Sequence, residues 1–307
     1  MQIGVIGLGD IAQKAYLPIY GKMDGVQFHL HTRNVKKLDA LGDKHRFTRR
    51  YARLEDLLES GISAAFVHSS TESHAAIVRE LLQRDIHVFV DKPITDQLSE
   101  AEGLVRLANE RKLILMVGFN RRYAPAIRAL KEVAQPNMVI VQKNRHSLPG
   151  EIRSFIYDDF IHVVDTIRFL FPYPIDKVIV NGRQEGGKLC HAVVQLVSRM
   201  GTAIGIMNRD NGTMEEIAAV MGPLEKRTAY NLSRLIVSKG IEETEIRGND
   251  WEETLVKRGF PEMVNDFLQA VRTGTSPKIS AFDALETHRL CEEIIVKLSG
   301  DFNQTFD

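Results

Sequence analysis

The chain has 307 residues, 44% of them hydrophobic, and its 40 Lys plus Arg balance 40 Asp plus Glu. That length exceeds the roughly 100–200 residues of one domain and predicts two, while zero net charge offers no field to nucleic acid or an anionic membrane, so a small-molecule ligand is expected. Only Cys190 and Cys291 occur, which excludes a disulfide framework, and the absence of a signal-like N-terminus or a long apolar run predicts a cytoplasmic protein.

In chain order, short β-branched runs alternate with amphipathic segments over the first 120 residues. Strands are predicted at 2–6, 26–32, 64–68, 87–90 and 113–118, and helices at 10–23, 35–41, 54–59, 74–84 and 98–111. This is the pattern of βαβ units on a parallel sheet. After residue 120 the texture changes. A helix at 124–133 precedes a strand at 138–145, and a second helix spans 155–170 before Phe171-Pro172-Tyr173-Pro174 stops it. Strand-like runs punctuated by Gly follow from 176 to 247, including 192–197, 202–207 and 234–237, and predict a largely antiparallel sheet. Helices close the chain at 261–271 and 281–298. The expected fold is α/β: a Rossmann-type doubly wound parallel sheet over 1–120, then an α+β substrate and oligomerisation domain over 121–307 with a large, mainly antiparallel open sheet.

Gly7-Leu8-Gly9-Asp10-Ile11-Ala12 follows the first strand and opens the first helix. Gly7 permits the tight turn, Gly9 lets backbone approach a pyrophosphate, and Ala12 lets helix and strand pack closely. The helix N-terminus, at Asp10 and Ile11, then offers N–H groups and partial positive charge to phosphates. A dinucleotide is the implied cofactor. The second strand ends Thr32-Arg33-Asn34, without the carboxylate that normally accepts the adenosine ribose hydroxyls. Thr32 and Arg33 suit a 2′-phosphate, which favours NADP(H) over NAD(H). A solvated basic loop, with Lys36 and Lys37, is the plainer alternative.

The run His87-Val88-Phe89-Val90-Asp91-Lys92-Pro93 resembles the strand plus acid-Lys-Pro signature of the glucose-fructose oxidoreductase/inositol dehydrogenase/MocA family. His74 after Ser69-Ser70-Thr71, the run from Gly118 to Pro125, and Asp158, His162 and Asp165 are similar to other motifs of that family. The resemblance implies a lysine, Lys92, beside nicotinamide and substrate, an acid-base histidine, His162, and cofactor contacts from Ser69, His74, Asp91, Lys92 and Asn120. Chemically, ketone reduction needs a cation and a proton donor at one oxygen. Lys92 stands at the C-terminal end of a parallel strand, where ligands bind. His162 titrates near neutrality, and helical spacing places Asp158 and Asp165 one turn either side of it, with Asp158 tuning it. His68 and His74 also suit structural or loop positions. Asn120, Arg121 and Tyr123 are candidate cleft residues, and Arg122 an exposed or paired charge.

Four departures stand out. Asp91 replaces the family's glutamate, Ser69-Ser70-Thr71 its Thr-Pro-Asn, and Arg153-Ser154-Phe155-Ile156-Tyr157 a glycine-rich approach to the helix. Asp159-Phe160 puts a charge and a ring where apolar and small residues are usual. The expectation is an oxidoreductase interconverting a secondary alcohol and a ketone on a sugar, polyol or related small molecule, with Lys92, His162 and Asp158 catalytic. It binds neither nucleic acid nor membrane, needs no metal, and forms a homodimer or homotetramer through its C-terminal sheet. The alternative is a catalytically impaired NAD(P)-binding sensor, and a third possibility, imine reduction, would depend more on Lys92.

Overall fold

The computed structural model describes residues 1–248 and 251–303. Two compact units result, Met1–Gly118 with Phe260–Glu286, and Phe119–Gly259 with the chain from Thr287.

In the first unit β1 (Gln2–Ile6), β2 (Gln27–His31), β3 (Arg49–Tyr51), β4 (Ala64–Val67), β5 (His87–Val90) and β6 (Leu115–Val117) form a sheet in the order β3-β2-β1-β4-β5-β6. Every pairing is parallel. The central strands carry Ile3, Val5, Phe66, Val67, Val88 and Phe89 at 0% exposure, as expected where helices cover both faces. The strand order reverses between β1 and β4, which is the switch point at which such sheets bind ligands. β3 had no counterpart among the predicted strands. It is an edge strand of two arginines and a tyrosine, and edges are routinely charged.

Phe260–Glu286 also belong to this unit, so it differs from the contiguous 1–120 domain expected. The helix Phe260–Thr273 sets the fully buried Phe267 ring 5.0 Å from Phe66 and 5.7 Å from Phe89, and Phe260 edges against Tyr16. Sequence distance hid this packing, since periodicity places a helix but not its partner.

The second unit holds an eight-stranded sheet of β7 (Met138–Asn144), β8 (Lys177–Glu185), β9 (Lys188–Ser198), β10 (Gly201–Asn208), β11 (Glu215–Met221), β12 (Lys226–Tyr230), β13 (Arg234–Lys239) and β14 (Glu242–Arg247). Its order is β14-β13-β12-β11-β7-β10-β9-β8, antiparallel except where β7 and β10 run parallel. The helix Ile161–Leu170 packs on β7 and β10. A Cβ at Gly205 would stand 3.0 Å from Val163 Cγ1 and 3.2 Å from Ile167 Cδ1, so glycine permits this close approach. The segment before that helix departs from expectation. Ile152–Ser154 is α-helical, Phe155–Phe160 is a π-helix, and the π geometry alters which residues share a face. The helix predicted at 124–133 is shorter, Pro125–Leu130, because Ala124 is extended and Pro125 occupies the first turn. No helix among the described residues is long and apolar enough to cross a membrane.

Candidate functional site

At the first turn Gly7 has φ +90°, and a Cβ there would lie 2.5 Å from the backbone nitrogen of Ser69. Glycine is therefore required by the fold itself. Gly9 differs: a Cβ would meet only the His68 carbonyl oxygen, at 3.9 Å, so the protein's own packing does not demand glycine there. That open cradle fits a dinucleotide pyrophosphate. Gly7 N donates to His31 O at 3.1 Å and Gln13 Nε2 to Leu8 O at 2.9 Å, pinning the turn between β1 and β2. Ala12 is fully buried, as close helix packing requires, and begins a π-helical segment, Ala12–Tyr16. Asp10 and Ile11 are exposed, and Asp10 pairs with Lys14. Thr32 is half-buried and Arg33 exposed at the end of β2. Asn34 is the cap of the next helix, its Oδ1 accepting from Lys37 N at 3.0 Å.

Beyond β4 and β5, His74 is 1% exposed and its ring nitrogens face Pro93 O at 2.9 Å and Ser69 O at 3.0 Å. It ties the loop after β4 to the loop after β5. Both ring nitrogens face carbonyl oxygens, so within the protein His74 fastens these two loops together. Ser69 Oγ accepts from Ser73 Oγ. Lys92 is half-buried between Asp91, whose Oδ1 accepts from the Lys92 backbone N–H at 2.9 Å, and the buried Pro93. Behind Asp91 lies a polar array that sequence reading missed. Tyr20 Oη stands 3.0 Å from His68 Nε2, and His68 Nδ1 lies 3.8 Å from Asp91 Oδ2. The Tyr16 ring stacks on His68 at 3.9 Å. Burial pushes the His68 imidazole toward its neutral form against the pull of Asp91, and burial followed by Asp91 raises both phenols.

In the second unit Asp158 is exposed, His162 half-buried and Asp165 1% exposed. They do not share one environment, contrary to the spacing argument, because Asp158 lies in the π-helical segment, whereas His162 and Asp165 lie on the α-helix that follows it, where Asp165 turns inward. There its oxygens take a bidentate bond from Arg122, at 2.6 and 2.9 Å, and one from Thr287 Oγ1 at 3.0 Å. Asp165 is a structural anchor and Arg122 its counter-ion. Arg153 binds Glu292 bidentately at 2.7 and 2.9 Å, and Tyr157 Oη reaches the same carboxylate at 3.1 Å. The non-glycine approach is thus fastened by side chains.

Asp159 explains itself in the same way. It is 6% exposed and accepts from Lys143 Nζ and from Arg145 Nε, the latter at 2.8 Å. Burial raises its carboxyl, but hydrogen bonds from Arg145 and the charge of Lys143 outweigh this and hold it below the usual carboxylate range. Strand alternation could have found this partner, since Lys143 shares a face of β7 with the buried Val139 and Val141. Asn120 is buried at the start of the second unit. Its Nδ2 donates to Arg258 O at 2.8 Å and its Oδ1 accepts from Arg121, so both polar atoms have partners within the second unit. Arg121 is 6% exposed and paired with Glu216, and Tyr123 is buried.

The family model described as an oxidoreductase family with an NAD-binding Rossmann fold matches residues 1–119. YceM of Salmonella typhimurium is 33% identical over 302 residues, covering 96% of this chain and 97% of that protein. Myo-inositol 2-dehydrogenase of Thermotoga maritima is 23% identical, with 92% of each chain covered. The crystal structure of a Gfo/Idh/MocA family oxidoreductase from Vibrio cholerae superposes with a TM-score of 0.93 at 30% identity, covering 99% of this chain and 100% of that one.

Proposed function

Because this chain belongs to the glucose-fructose oxidoreductase/inositol dehydrogenase/MocA family and is an NAD(P)-dependent oxidoreductase acting on CH–OH groups, we propose that it interconverts a secondary alcohol and a ketone on a sugar, polyol or related small molecule. The carrying observation is Lys92, held at the end of β5 by a bond from its own backbone N–H to Asp91 and by the buried Pro93. In this reading its ammonium faces the developing alkoxide, the largest charge change of the reaction. His162 gives or takes the hydroxyl proton, with Asp158 assigned to tune it. The bound nicotinamide supplies or accepts the hydride. Gly7, Gly9 and Ala12 shape its pyrophosphate turn, and Ser69, Asp91 and the positioning residue His74 shape the loops beside its ring.

At the end of β2, Thr32 and the exposed Arg33 support NADP(H) over NAD(H), because a guanidinium pairs with a 2′-phosphate and no carboxylate competes there. A homodimer or homotetramer through the second sheet is supported by its half-exposed apolar stripe, where Ile204 pairs with Ile140 and Ile206 with Val193.

The test is His162→Ala. Turnover should fall at least tenfold, on the roughly 10²–10⁴ scale of acid-base catalysis, while NADPH affinity measured by fluorescence stays the same. Unchanged turnover would remove His162 from the mechanism.

A further inference from the structure

Lys92 leaves the end of β5 with a buried polar group behind it on every side. His68 stands one residue past β4 and Asp91 one residue past β5, fixed there by bonds from His68 N to Ile6 O at 2.8 Å and from Asp91 N to Val67 O at 2.9 Å. Tyr16 ends the π-helical segment that begins at Ala12, after the glycine turn, and Tyr20 ends the next helix, Leu17–Tyr20. All four belong to the first unit. Phe66 and Phe89 close the box, with ring centroids 6.0 and 6.2 Å from that of His68. An imidazole enclosed by rings in this way finds its hydrogen-bond partners among its polar neighbours.

Three polar atoms in the box are buried and have no hydrogen-bond partner among the described residues: Tyr16 Oη, His68 Nδ1 and Asp91 Oδ2. They lie together. The 3.8 Å from His68 Nδ1 to Asp91 Oδ2 is about 1 Å beyond an ordinary hydrogen bond. A Cβ at Gly118 would stand 3.1 Å from Asp91 Oδ1 and 3.2 Å from Tyr16 Oη. Their protons are complementary as well. Burial and then Asp91 keep both phenols protonated, and burial favours a neutral His68. When Tyr20 Oη donates to His68 Nε2, 3.0 Å away, the single imidazole proton sits on Nδ1 and faces Asp91. Tyr16 brings a second donor, and one carboxylate oxygen has room for two. The other oxygen, Oδ1, already holds the Lys92 N–H at 2.9 Å.

We propose that His68, with Tyr16 beside it and Tyr20 behind it, is a positioning residue for Asp91, and through Asp91 for the turn that presents Lys92. This rests on the dehydrogenase reading above. His68 Nδ1 and Tyr16 Oη donate to Asp91 Oδ2, which leaves Oδ1 to fix the Lys92 backbone. The array also ties the helical segment after the glycine turn to the catalytic lysine, so that the two loops nearest the cofactor are set by one carboxylate. The shorter Asp91 in place of the family's glutamate thereby has a partner set of its own.

The test is histidine-selective ¹⁵N NMR of the full chain, with His68 assigned by the signals lost in His68→Asn. His68, faced by Asp91, His74, Tyr16 and Tyr20, should be neutral and protonated on Nδ1 throughout the neutral pH range. Deuterium exchange of the Lys92 amide should be about tenfold faster in His68→Leu, the weight of one hydrogen bond. It should return toward the wild-type rate in His68→Asn, whose side-chain amide replaces the Nδ1 donor, and rise less in Tyr16→Phe. With NADP⁺ and either D-glucose or myo-inositol, kcat should fall about tenfold in His68→Leu, the effect of a misplaced catalytic group, while KM for NADP⁺ stays the same and His68→Asn restores turnover. A charged or Nε2-protonated His68, or Lys92 exchange unchanged in both His68→Leu and Tyr16→Phe, overturns the array. A loosened Lys92 amide with unchanged kcat overturns its positioning role. An array that behaves as expected in a wild type that transfers hydride to or from no sugar or polyol overturns the dehydrogenase reading and leaves the array standing.

Discussion

In the parallel sheet, polar groups meet the ligand side at strand ends: a glycine turn after β1, loops after β4 and β5, and a helix N-terminus. The sheet faces themselves are apolar, with Val5, Phe66 and Phe89 at 0% exposure. In the antiparallel sheet, charge enters the face itself, with Lys143 of β7 and Glu216 of β11 in register opposite one another. The first arrangement recognises the phosphates that all dinucleotides share through backbone, and it tolerates sequence drift. The second builds charged side chains into the sheet itself, so a substitution there changes the charge of the face. The family model matches residues 1–119, while the departures from the family fall in both units, at Ser69-Ser70-Thr71 and Asp91 as well as at Arg153–Tyr157 and Asp159-Phe160.

The contrast is broken most severely at Asp159. Asp159→Asn leaves Lys143 and Arg145 without their shared carboxylate and should cost about 3–5 kcal/mol at pH 7, the range for breaking a buried pair, read as a drop in Tm. Because the folded carboxyl is held below its unfolded value of ~3.9, its contribution is full above that pH and is lost as pH falls below it. The difference between wild type and variant should therefore shrink in acid; a constant difference would mean that Asp159 acts by shape and not by charge. Gly7→Ala is the matching test of the first sheet. The positive φ and the 2.5 Å approach to Ser69 N should cost about 1–3 kcal/mol and weaken NADPH binding, with no effect on the second unit. Full cofactor affinity in a folded Gly7→Ala would detach the turn from dinucleotide recognition. The smallest effect belongs to Arg33→Ala, which should reduce the preference for NADP⁺ over NAD⁺ by about tenfold, the ~1.4 kcal/mol of one exposed charge-assisted contact, measured as the ratio of kcat/KM values. An unchanged ratio would assign Thr32-Arg33 to a solvated loop.

Most of the first sheet was legible because β-branched runs and a glycine turn are local signals: β1 and His87–Val90 match the predicted strands residue for residue. β3 escaped because three charged or polar edge residues carry no period. The candidate site was legible only in part. Gly7 and Lys92 stand where motif and strand end put them. The protein partners of His74 and Asn120, carbonyl oxygens and Arg121, were not legible, since they lie up to 138 residues away. Asp159 was visible as an anomaly but not as an ion pair, since Lys143 sits on another element.

What the amino-acid order decided by itself is whatever depends on neighbours within a turn or a strand: the alternation that makes β7, the flexibility of Gly7, the stop at Phe171-Pro172-Tyr173-Pro174. Tertiary structure alone decided which charges are shared. Lys143 and Glu216 are separated by 73 positions, yet antiparallel pairing of β7 with β11 puts them opposite one another. The attachment of Phe267 to the first unit and the inward turn of Asp165 have the same cause. Burial and Coulomb energies depend on distance in space, and local pattern carries no information about that distance.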